Sequence, residues 1–343
     1  MKKIITVAVF GALSVGSMLA SEIVKFEKKV IQERNNIGYK YQGEKLEYKI
    51  PDESTIPNNQ FGDLIKYGKE LVVNTYKHIG PEVKDKNMRY AGNNLSCQSC
   101  HLEAATKPYA APFVGIYGNF PQYRPRENVI GSLADRINGC MQRSMNGKPL
   151  QESSKEMKAM EAYIYWLSQG VPIGAKVEGI GLAEVNRKMI QTTKADPVKG
   201  KAVYEVHCAS CHGVNGEGIK NEGLANGYLY PPLWGKDSYN KGAGMYRTLK
   251  AMDFIKANMP LGATHQNPIL TDEEAYNVAV YMNLNEHERP EKANREKDFP
   301  DAAVKAPDAY IQGKDSEDRR FGPFGQFIKT NEPLADYKKQ PVI

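Results

Sequence analysis

Two short segments of the chain have the residue types and spacing of covalent haem attachment. Two cysteines separated by two residues and followed by histidine occur at Cys97–His101 and again at Cys208–His212. In this pattern both thiols reach the vinyl groups of one haem, and the adjacent histidine becomes the proximal iron ligand. A zinc site would have to pool ligands from both segments, and a thioredoxin-like pair would need a βαβ context that is missing. We predict two haem c groups, one held by each set of residues: Cys97, Cys100 and His101, and Cys208, Cys211 and His212.

The iron of each haem also needs a distal ligand or an open site. Met259, followed by Pro260, lies 47 residues beyond His212 and just ahead of a predicted helix. A Met-Pro pair at this place resembles the distal loop of cytochrome c domains, and a thioether raises the reduction potential. We predict Met259 as the ligand of haem 2. The alternatives are that Met259 is a core residue, or that His265 is the ligand.

The first segment has a cysteine where the second has its methionine. Cys140 lies 39 residues past His101 and is the odd cysteine, because haem attachment consumes the other four. A free thiol in an oxidising compartment needs a reason to survive, and iron or nearby arginines would hold it as thiolate. Position alone leaves two interpretations open. Cys140 is a haem ligand or redox group, or it is a buried thiol and Met141 or Met145 is the ligand.

Arginine side chains surround this cysteine in the sequence. Arg126, Arg136 and Ser144 all lie within 14 residues of Cys140. Guanidinium groups bind oxyanions with paired donors, and a hydroxyl adds one more donor. The residues therefore suit an oxyanion site. The alternatives are that Arg136 pairs with Asp135 or Glu127 on a solvated face, or that an arginine binds a haem propionate.

The helices around the two motifs recur in the same order. An apolar helical stripe precedes each motif, and a capped helix follows each candidate distal ligand. Ser153 and Glu156 have the spacing of a capping box, as do Thr271 and Glu274. Strand signals are weak. The predicted fold is mainly α, with two cytochrome c-like domains, each with one covalent haem, and irregular N- and C-terminal extensions.

These features divide the chain into six parts. We predict a signal peptide (residues 1–20), an N-terminal extension (21–60) and the haem 1 domain with the active site (61–169). A linker (170–194), the haem 2 domain for electron transfer (195–286) and a C-terminal extension (287–343) follow.

Composition and the first 20 residues indicate the compartment. Of the 343 residues, 41% are hydrophobic and 25% are charged, which excludes a disordered chain and a polytopic membrane protein. The net charge of +6 is too balanced to favour nucleic acid. Lys2 and Lys3 precede a short apolar run that ends near Ala20, as in a cleaved export signal. We expect a periplasmic protein without stable membrane insertion; the alternative is an uncleaved N-terminal anchor.

The stretch Arg126 to Pro149, with Arg-Ile-Asn-Gly-Cys-Met-Gln-Arg-Ser-Met-Asn-Gly at its centre, resembles the dihaem thiosulfate dehydrogenases of the TsdA type. The resemblance covers roughly residues 60–285. It implies that His101 and Cys140 ligate haem 1 and that Arg126, Arg136 and Ser144 bind substrate. It also implies His212 and Met259 as ligands of haem 2. Some members use a lysine there, but Asn258 precedes Met259 in this chain.

The resemblance implies interconversion of thiosulfate and tetrathionate, with a small redox partner such as a soluble cytochrome c. Joining two thiosulfates releases two electrons, which matches two one-electron haems. Our hypothesis is that Cys140 forms an S-thiosulfonate adduct that a second thiosulfate attacks. The alternatives are a dihaem electron-transfer cytochrome without its own substrate, a dihaem cytochrome c peroxidase, and a sulfur-oxidation carrier component with a Cys-ligated haem.

Overall fold

The computed structural model describes residues 43–223, 226–300, 306–310 and 317–325. The predicted signal peptide and the first part of the N-terminal extension lie outside these residues. Within them, no helix is both long enough and apolar enough to cross a membrane.

The described residues form helices joined by long loops and two small hairpins. The helices are α1 (Gln60–Val73), α2 (Thr75–Ile79), α3 (Leu102–Ala105), α4 (Leu133–Arg143), α5 (Lys155–Leu167), α6 (Arg187–Thr192), α7 (Pro197–His207), α8 (Ala209–His212), α9 (Thr248–Asn258), α10 (Asp272–Tyr281) and α11 (Glu317–Phe321). The strands pair antiparallel, β1 (Gln122–Arg124) with β2 (Val129–Gly131) and β3 (Ile219–Lys220) with β4 (Tyr228–Tyr230). The mainly helical prediction agrees with this content.

The helix starts follow from capping side chains. Thr271 and Glu274 form the predicted capping box at the start of α10. The other predicted box is wrong by one residue, because Ser154 rather than Ser153 caps α5 and accepts from the backbone N–H of Met157 at 3.2 Å. Glu156 therefore lies one position too early to close a box. Its carboxylate instead accepts from the Tyr67 hydroxyl at 3.1 Å.

The same close helix crossing occurs in both halves of the chain. In the first half, Gly68 of α1 lies against α5, and a Cβ at residue 68 would be 2.0 Å from the Ala159 carbonyl oxygen. In the second half, Gly200 of α7 lies against α10, and a Cβ there would be 2.2 Å from the Asn277 carbonyl oxygen. A tyrosine side chain flanks each glycine. The crossings require glycine because two backbones meet where no side chain fits.

The linker and the C-terminal segment pack onto these helices. Ile190 and Val185 from the linker region join the core that α9 and α10 build. Phe321 and Phe324 complete the same core, and the backbone N–H of Phe324 donates to the Ile190 carbonyl at 2.8 Å. The second half therefore closes around residues well beyond position 286.

Replacing either crossing glycine with alanine should destabilise the protein. The added methyl group of Gly200→Ala would meet backbone that cannot move aside, and overpacking of this kind costs about 1–3 kcal/mol. Denaturant unfolding of the holo-protein measures the change. Gly244→Ala is the matched control, because a Cβ at residue 244 meets nothing within 4 Å. Equal stability of the Gly200 and Gly244 variants would contradict the crossing described here.

Candidate functional site

Each Cys-x-x-Cys-His segment borders its own cavity. The first cavity has a volume of about 370 Å³ and includes Cys97, Cys100 and His101 in its wall. The second has a volume of about 510 Å³ and includes Cys208, Cys211 and His212. Most of the other wall residues are apolar, so in each case two thiols and one imidazole face a large hydrophobic cavity. That donor set fits haem c. In the described residues no group of three or more His, Cys, Asp or Glu side chains converges as around a zinc ion.

Backbone carbonyls orient both motif histidines. The Nδ1 of His101 lies 2.5 Å from the Ala111 carbonyl oxygen, and the Nδ1 of His212 lies 2.8 Å from that of Pro231. A carbonyl can only accept, so Nδ1 carries the hydrogen and Nε2 keeps its lone pair. This is the arrangement that fixes the ring of a metal-binding histidine. Burial also lowers the pKa of His212, which keeps its imidazole neutral.

Helix α4 brings three of the predicted site residues together. Arg136, Cys140 and Ser144 are spaced four residues apart, so they share one helix face, and all three line the first cavity. The Arg136 Nη1 donates to the Cys140 sulfur at 2.7 Å. Met141 and Met145 also reach this cavity but are embedded in the core formed with α5. The helix therefore presents a thiol, a guanidinium and a hydroxyl along one edge of the first cavity.

Positive neighbours hold Cys140 as a thiolate. Burial by itself would raise the pKa of the Cys140 thiol, but the adjacent charge of Arg136 and the more distant charge of Arg143 lower it. The two motif cysteines lack such partners, and burial raises the pKa of Cys97 to about 11 and that of Cys100 to about 12. Of these three sulfurs, Cys140 is the nucleophile at neutral pH.

The alternative partners of Arg136 are engaged elsewhere. Asp135 caps α4, where its carboxylate accepts from the backbone N–H of Ser132 at 2.8 Å. Glu127 accepts from Arg124 and from Arg143, both at 2.9 Å. The predicted alternative of an Arg136 pair with Asp135 or Glu127 is therefore not what the geometry shows.

Arg126 lies apart from the other predicted site residues. It does not line the first cavity, and its Nη1 donates to the Gly242 carbonyl at 2.7 Å and to Asp298 at 3.1 Å. Its guanidinium also lies 5.1 Å from the centre of the Phe299 ring. Burial lowers the pKa of Arg126 to about 9. Asp298 is 172 residues away in the sequence, and no local pattern marks it as a partner.

Two further polar residues of the first cavity carry no signal in the sequence. Asn119 and Gln122 line it, the latter from strand β1. Neither belongs to a motif, and their place depends on how the loop before β1 folds back over the cavity.

The second cavity has Met259 in its wall. Met259 directly follows α9, and its backbone N–H donates to the Ile255 carbonyl at 2.9 Å. The rival residue, His265, is absent from the lining of this cavity. The centre of its ring lies 4.0 Å from the centre of the Tyr109 ring.

The two cavities share a wall. Leu95, Ser96 and Cys100 line both of them. A thiol of the first motif thus borders the space that the second motif serves, so groups in the two cavities are close neighbours.

Comparison with known proteins fits this duplicated arrangement. Residues 87–173 match the family model of the SoxA/TsdA cytochrome c domain, and residues 197–285 match that of cytochrome c. A thiosulfate dehydrogenase of Stutzerimonas stutzeri is 40% identical over 281 residues, covering 82% of this chain and 84% of that protein. The chain belongs to the thiosulfate dehydrogenase family.

Two further relatives of this family agree. A thiosulfate dehydrogenase of Allochromatium vinosum is 39% identical over 70% of this chain and 84% of that protein. A solved structure, the thiosulfate dehydrogenase TsdBA from Marichromatium purpuratum in its as-isolated form, is 32% identical with a TM-score of 0.64. That match covers 72% of this chain but only 51% of the other, so this chain spans about half of it. The predicted family and the two cytochrome c domains are confirmed, and with them a haem c protein.

Arg136 should control the ionisation of Cys140. In holo-protein Cys140 is the one cysteine outside the attachment motifs, so its reaction with a small thiol reagent can be followed against pH by mass spectrometry. Because Arg136 lowers the pKa of this thiol, labelling of the parent should persist to lower pH than labelling of an ordinary thiol. In Arg136→Met the transition should move to higher pH, because the buried sulfur loses its nearest positive charge.

Lys148→Met is the control for this titration, because Lys148 is an exposed cation close to the end of α4. An unchanged transition in Arg136→Met would show that the 2.7 Å contact does not set the charge of the sulfur.

Proposed function

We propose that this chain is a dihaem c-type enzyme that interconverts thiosulfate and tetrathionate. The observation that carries the proposal is the Arg136–Cys140 contact of 2.7 Å inside a cavity that also holds a Cys-x-x-Cys-His segment. A thiolate and an anion-binding guanidinium together suit a substrate that is both a sulfur nucleophile and an oxyanion. The names of the relatives support the same substrate.

We assign the haem-holding residues as follows. Cys97 and Cys100 would attach haem 1, and His101 and Cys140 would ligate its iron. Cys208 and Cys211 would attach haem 2, and His212 and Met259 would ligate its iron. When bound, each haem c supplies one-electron redox chemistry, and a thioether ligand gives the second a higher potential than a thiolate gives the first. The cavity volumes and the histidine orientations support this assignment.

The protein must bring two dianions together before a sulfur–sulfur bond can form. Two unit charges about 4 Å apart repel by roughly 4 kcal/mol at an effective dielectric near 20, and dianions multiply this energy. Arg136 supplies a guanidinium at the thiolate, and Ser144 supplies a hydroxyl donor one turn further along α4. The Arg126 guanidinium is paired with Asp298. Its role as a third anion-binding group is therefore supported by the family resemblance alone.

Cys140 acts as the covalent relay in this scheme. Its thiolate joins the sulfane sulfur of one thiosulfate, forming a Cys S-thiosulfonate adduct with loss of two electrons. The sulfane sulfur of a second thiosulfate then attacks the sulfane sulfur of the adduct. Tetrathionate leaves, and the Cys140 thiolate is regenerated, as in thiol–disulfide exchange. Reduction of tetrathionate is the same sequence reversed, with two electrons entering.

The electrons leave at the second cavity in this proposal. Leu229 and Leu261 line that cavity and are exposed at its rim, which gives a small redox protein such as a soluble cytochrome c an apolar place to dock. We further propose export to the periplasm through residues 1–20. The competing function is electron transfer without a substrate of its own, which would need neither Cys140 nor Arg136.

Thiosulfate-dependent reduction of an artificial acceptor by holo-protein tests the proposal, with tetrathionate quantified in the same samples. The parent should be active. Cys140→Gly should lose the reaction, because the relay sulfur and a haem ligand are removed. Arg136→Met should retain its haems and lose on the order of a hundredfold to a thousandfold in kcat, as when one oxyanion donor is removed.

The exposed-cation variant Lys148→Met should behave as the parent in this assay. Full activity of Cys140→Gly would exclude the covalent relay. Inactivity of the parent with both haems bound would favour the electron-transfer cytochrome.

Met259→Gly tests the second haem separately. Loss of the thioether should abolish the methionine–iron charge-transfer band. It should also lower one of the two reduction potentials, because the thioether ligand is the group that favours ferrous iron. Visible spectroscopy with potentiometric titration measures both. Met245→Leu is the matched control, since Met245 lines the same cavity. Retention of the band in Met259→Gly would exclude this residue as the ligand.

A further inference from the structure

Helix α9 connects the C-terminal segment to the proposed ligand of haem 2. It spans Thr248–Asn258, and Met259 follows it directly. Phe254, Ile255 and Asn258 of this helix line the second cavity together with Met259. The position of the methionine sulfur is therefore set by the position of the helix as a whole.

The start of α9 lacks a capping group of its own. The residue at the cap position is Arg247, whose side chain carries donors but no acceptor. The backbone N–H groups of a first helical turn have no acceptor within the helix, and a nearby carboxylate both accepts from them and favours the helix dipole. Some other part of the chain must supply that acceptor.

A distant carboxylate takes this place. Asp308 accepts from the backbone N–H of Leu249 at 3.0 Å and from the Arg247 Nε at 3.2 Å, and it also pairs with an Arg247 terminal nitrogen. The Asp308 side chain is fully buried. Its guanidinium partner and the backbone N–H hold the pKa of this carboxyl below its usual range, against the opposing effect of burial. The cap is thus an anion, supplied from 59 residues away in the sequence.

The other end of α9 is held by the first half of the chain. The Asn258 side-chain amide donates to the Tyr109 carbonyl at 3.1 Å and to the Phe254 carbonyl at 3.0 Å. An 11-residue helix is about 16 Å long, and most residues of this one are buried. Held at both ends, it has one axial position. Released at its start, it can slide or fray, and Met259 moves with it.

We propose that Asp308 is a positioning residue for the distal ligand of haem 2. The C-terminal segment would thereby tune the potential of the electron-exit haem from outside the second cavity, whose lining includes no residue of 306–310. This inference rests on the proposed role of Met259. It gives residues 306–310 a function in redox control beyond covering the surface.

Asp308→Ala and Asp308→Asn in the full-length holo-protein test the inference. In Asp308→Ala, amides 248–259 should exchange with deuterium at least tenfold faster, the methionine–iron band should weaken and one reduction potential should fall. Asp308→Asn should show smaller changes, because its amide oxygen can still accept from the Leu249 N–H. If Asp308→Ala does not fold, the Asn variant carries the test.

Thr271→Ala is the matched control, because it removes the cap of α10, a helix of the same half that carries no proposed ligand. It should speed exchange in α10 and leave the band and both potentials as in the parent. An Asp308→Ala protein with the parental band and potentials would overturn the inference. So would equal losses of band in Thr271→Ala, which would indicate general destabilisation.

Met259→Gly separates this result from failure of the proposed ligand. If Met259→Gly retains the band, the ligand assignment is wrong and this inference falls with it. If Met259→Gly loses the band while Asp308→Ala keeps it, only the inference is wrong. These readouts need no thiosulfate, so they are independent of whether the substrate assignment holds.

Discussion

A buried sulfur can stay ionised only if positive charge lies beside it, and Arg136 provides that charge to Cys140 across 2.7 Å. Burial opposes the charged form, so the contact works against the environment that makes the cavity suitable for haem. One turn of α4 sets this distance, and Ser132 and Asp135 fix where that helix begins. Glu127 pairs with the neighbouring Arg124 and Arg143, while Arg136 donates to the Cys140 sulfur. The reactivity of the site therefore depends on which arginine lies beside the sulfur and which arginines pair with Glu127.

The second half of the chain repeats the framework of the first without its reactive sulfur. Each half has a glycine at a helix crossing and a histidine whose Nδ1 faces a carbonyl oxygen. Where the first cavity has a thiolate, the second has Met259. In the proposed function, the common framework retains a cofactor, and the residue presented to each cavity, Cys140 or Met259, decides whether sulfur chemistry or electron transfer follows. A shared wall at Cys100 keeps the two sites within reach of each other.

Local patterns in the sequence were enough to predict the parts of the site that lie close together in the chain. The attachment motifs occupy five consecutive residues each, and Arg136 and Cys140 are one helical turn apart. The position of Ser154 as cap was missed because an adjacent serine fits the same pattern, and only the path of the backbone chooses between them.

Contacts between distant segments had no sequence signal. Arg126 is paired with Asp298, and α9 is capped by Asp308, and both aspartates lie in the predicted C-terminal extension. Charge composition says that such residues need water or partners, but it does not say which.

Phe321 and Phe324 have a consequence for the order in which the chain can fold. The buried core residues of the first half all lie between Ile65 and Leu167, so this core needs no residue of the second half. The core of the second half waits for two phenylalanines close to the end of the chain. That core is incomplete until residues 321–324 dock against it. A chain that folds in this order would leave the thiols of Cys208 and Cys211 accessible for covalent attachment after the core of the first half has formed.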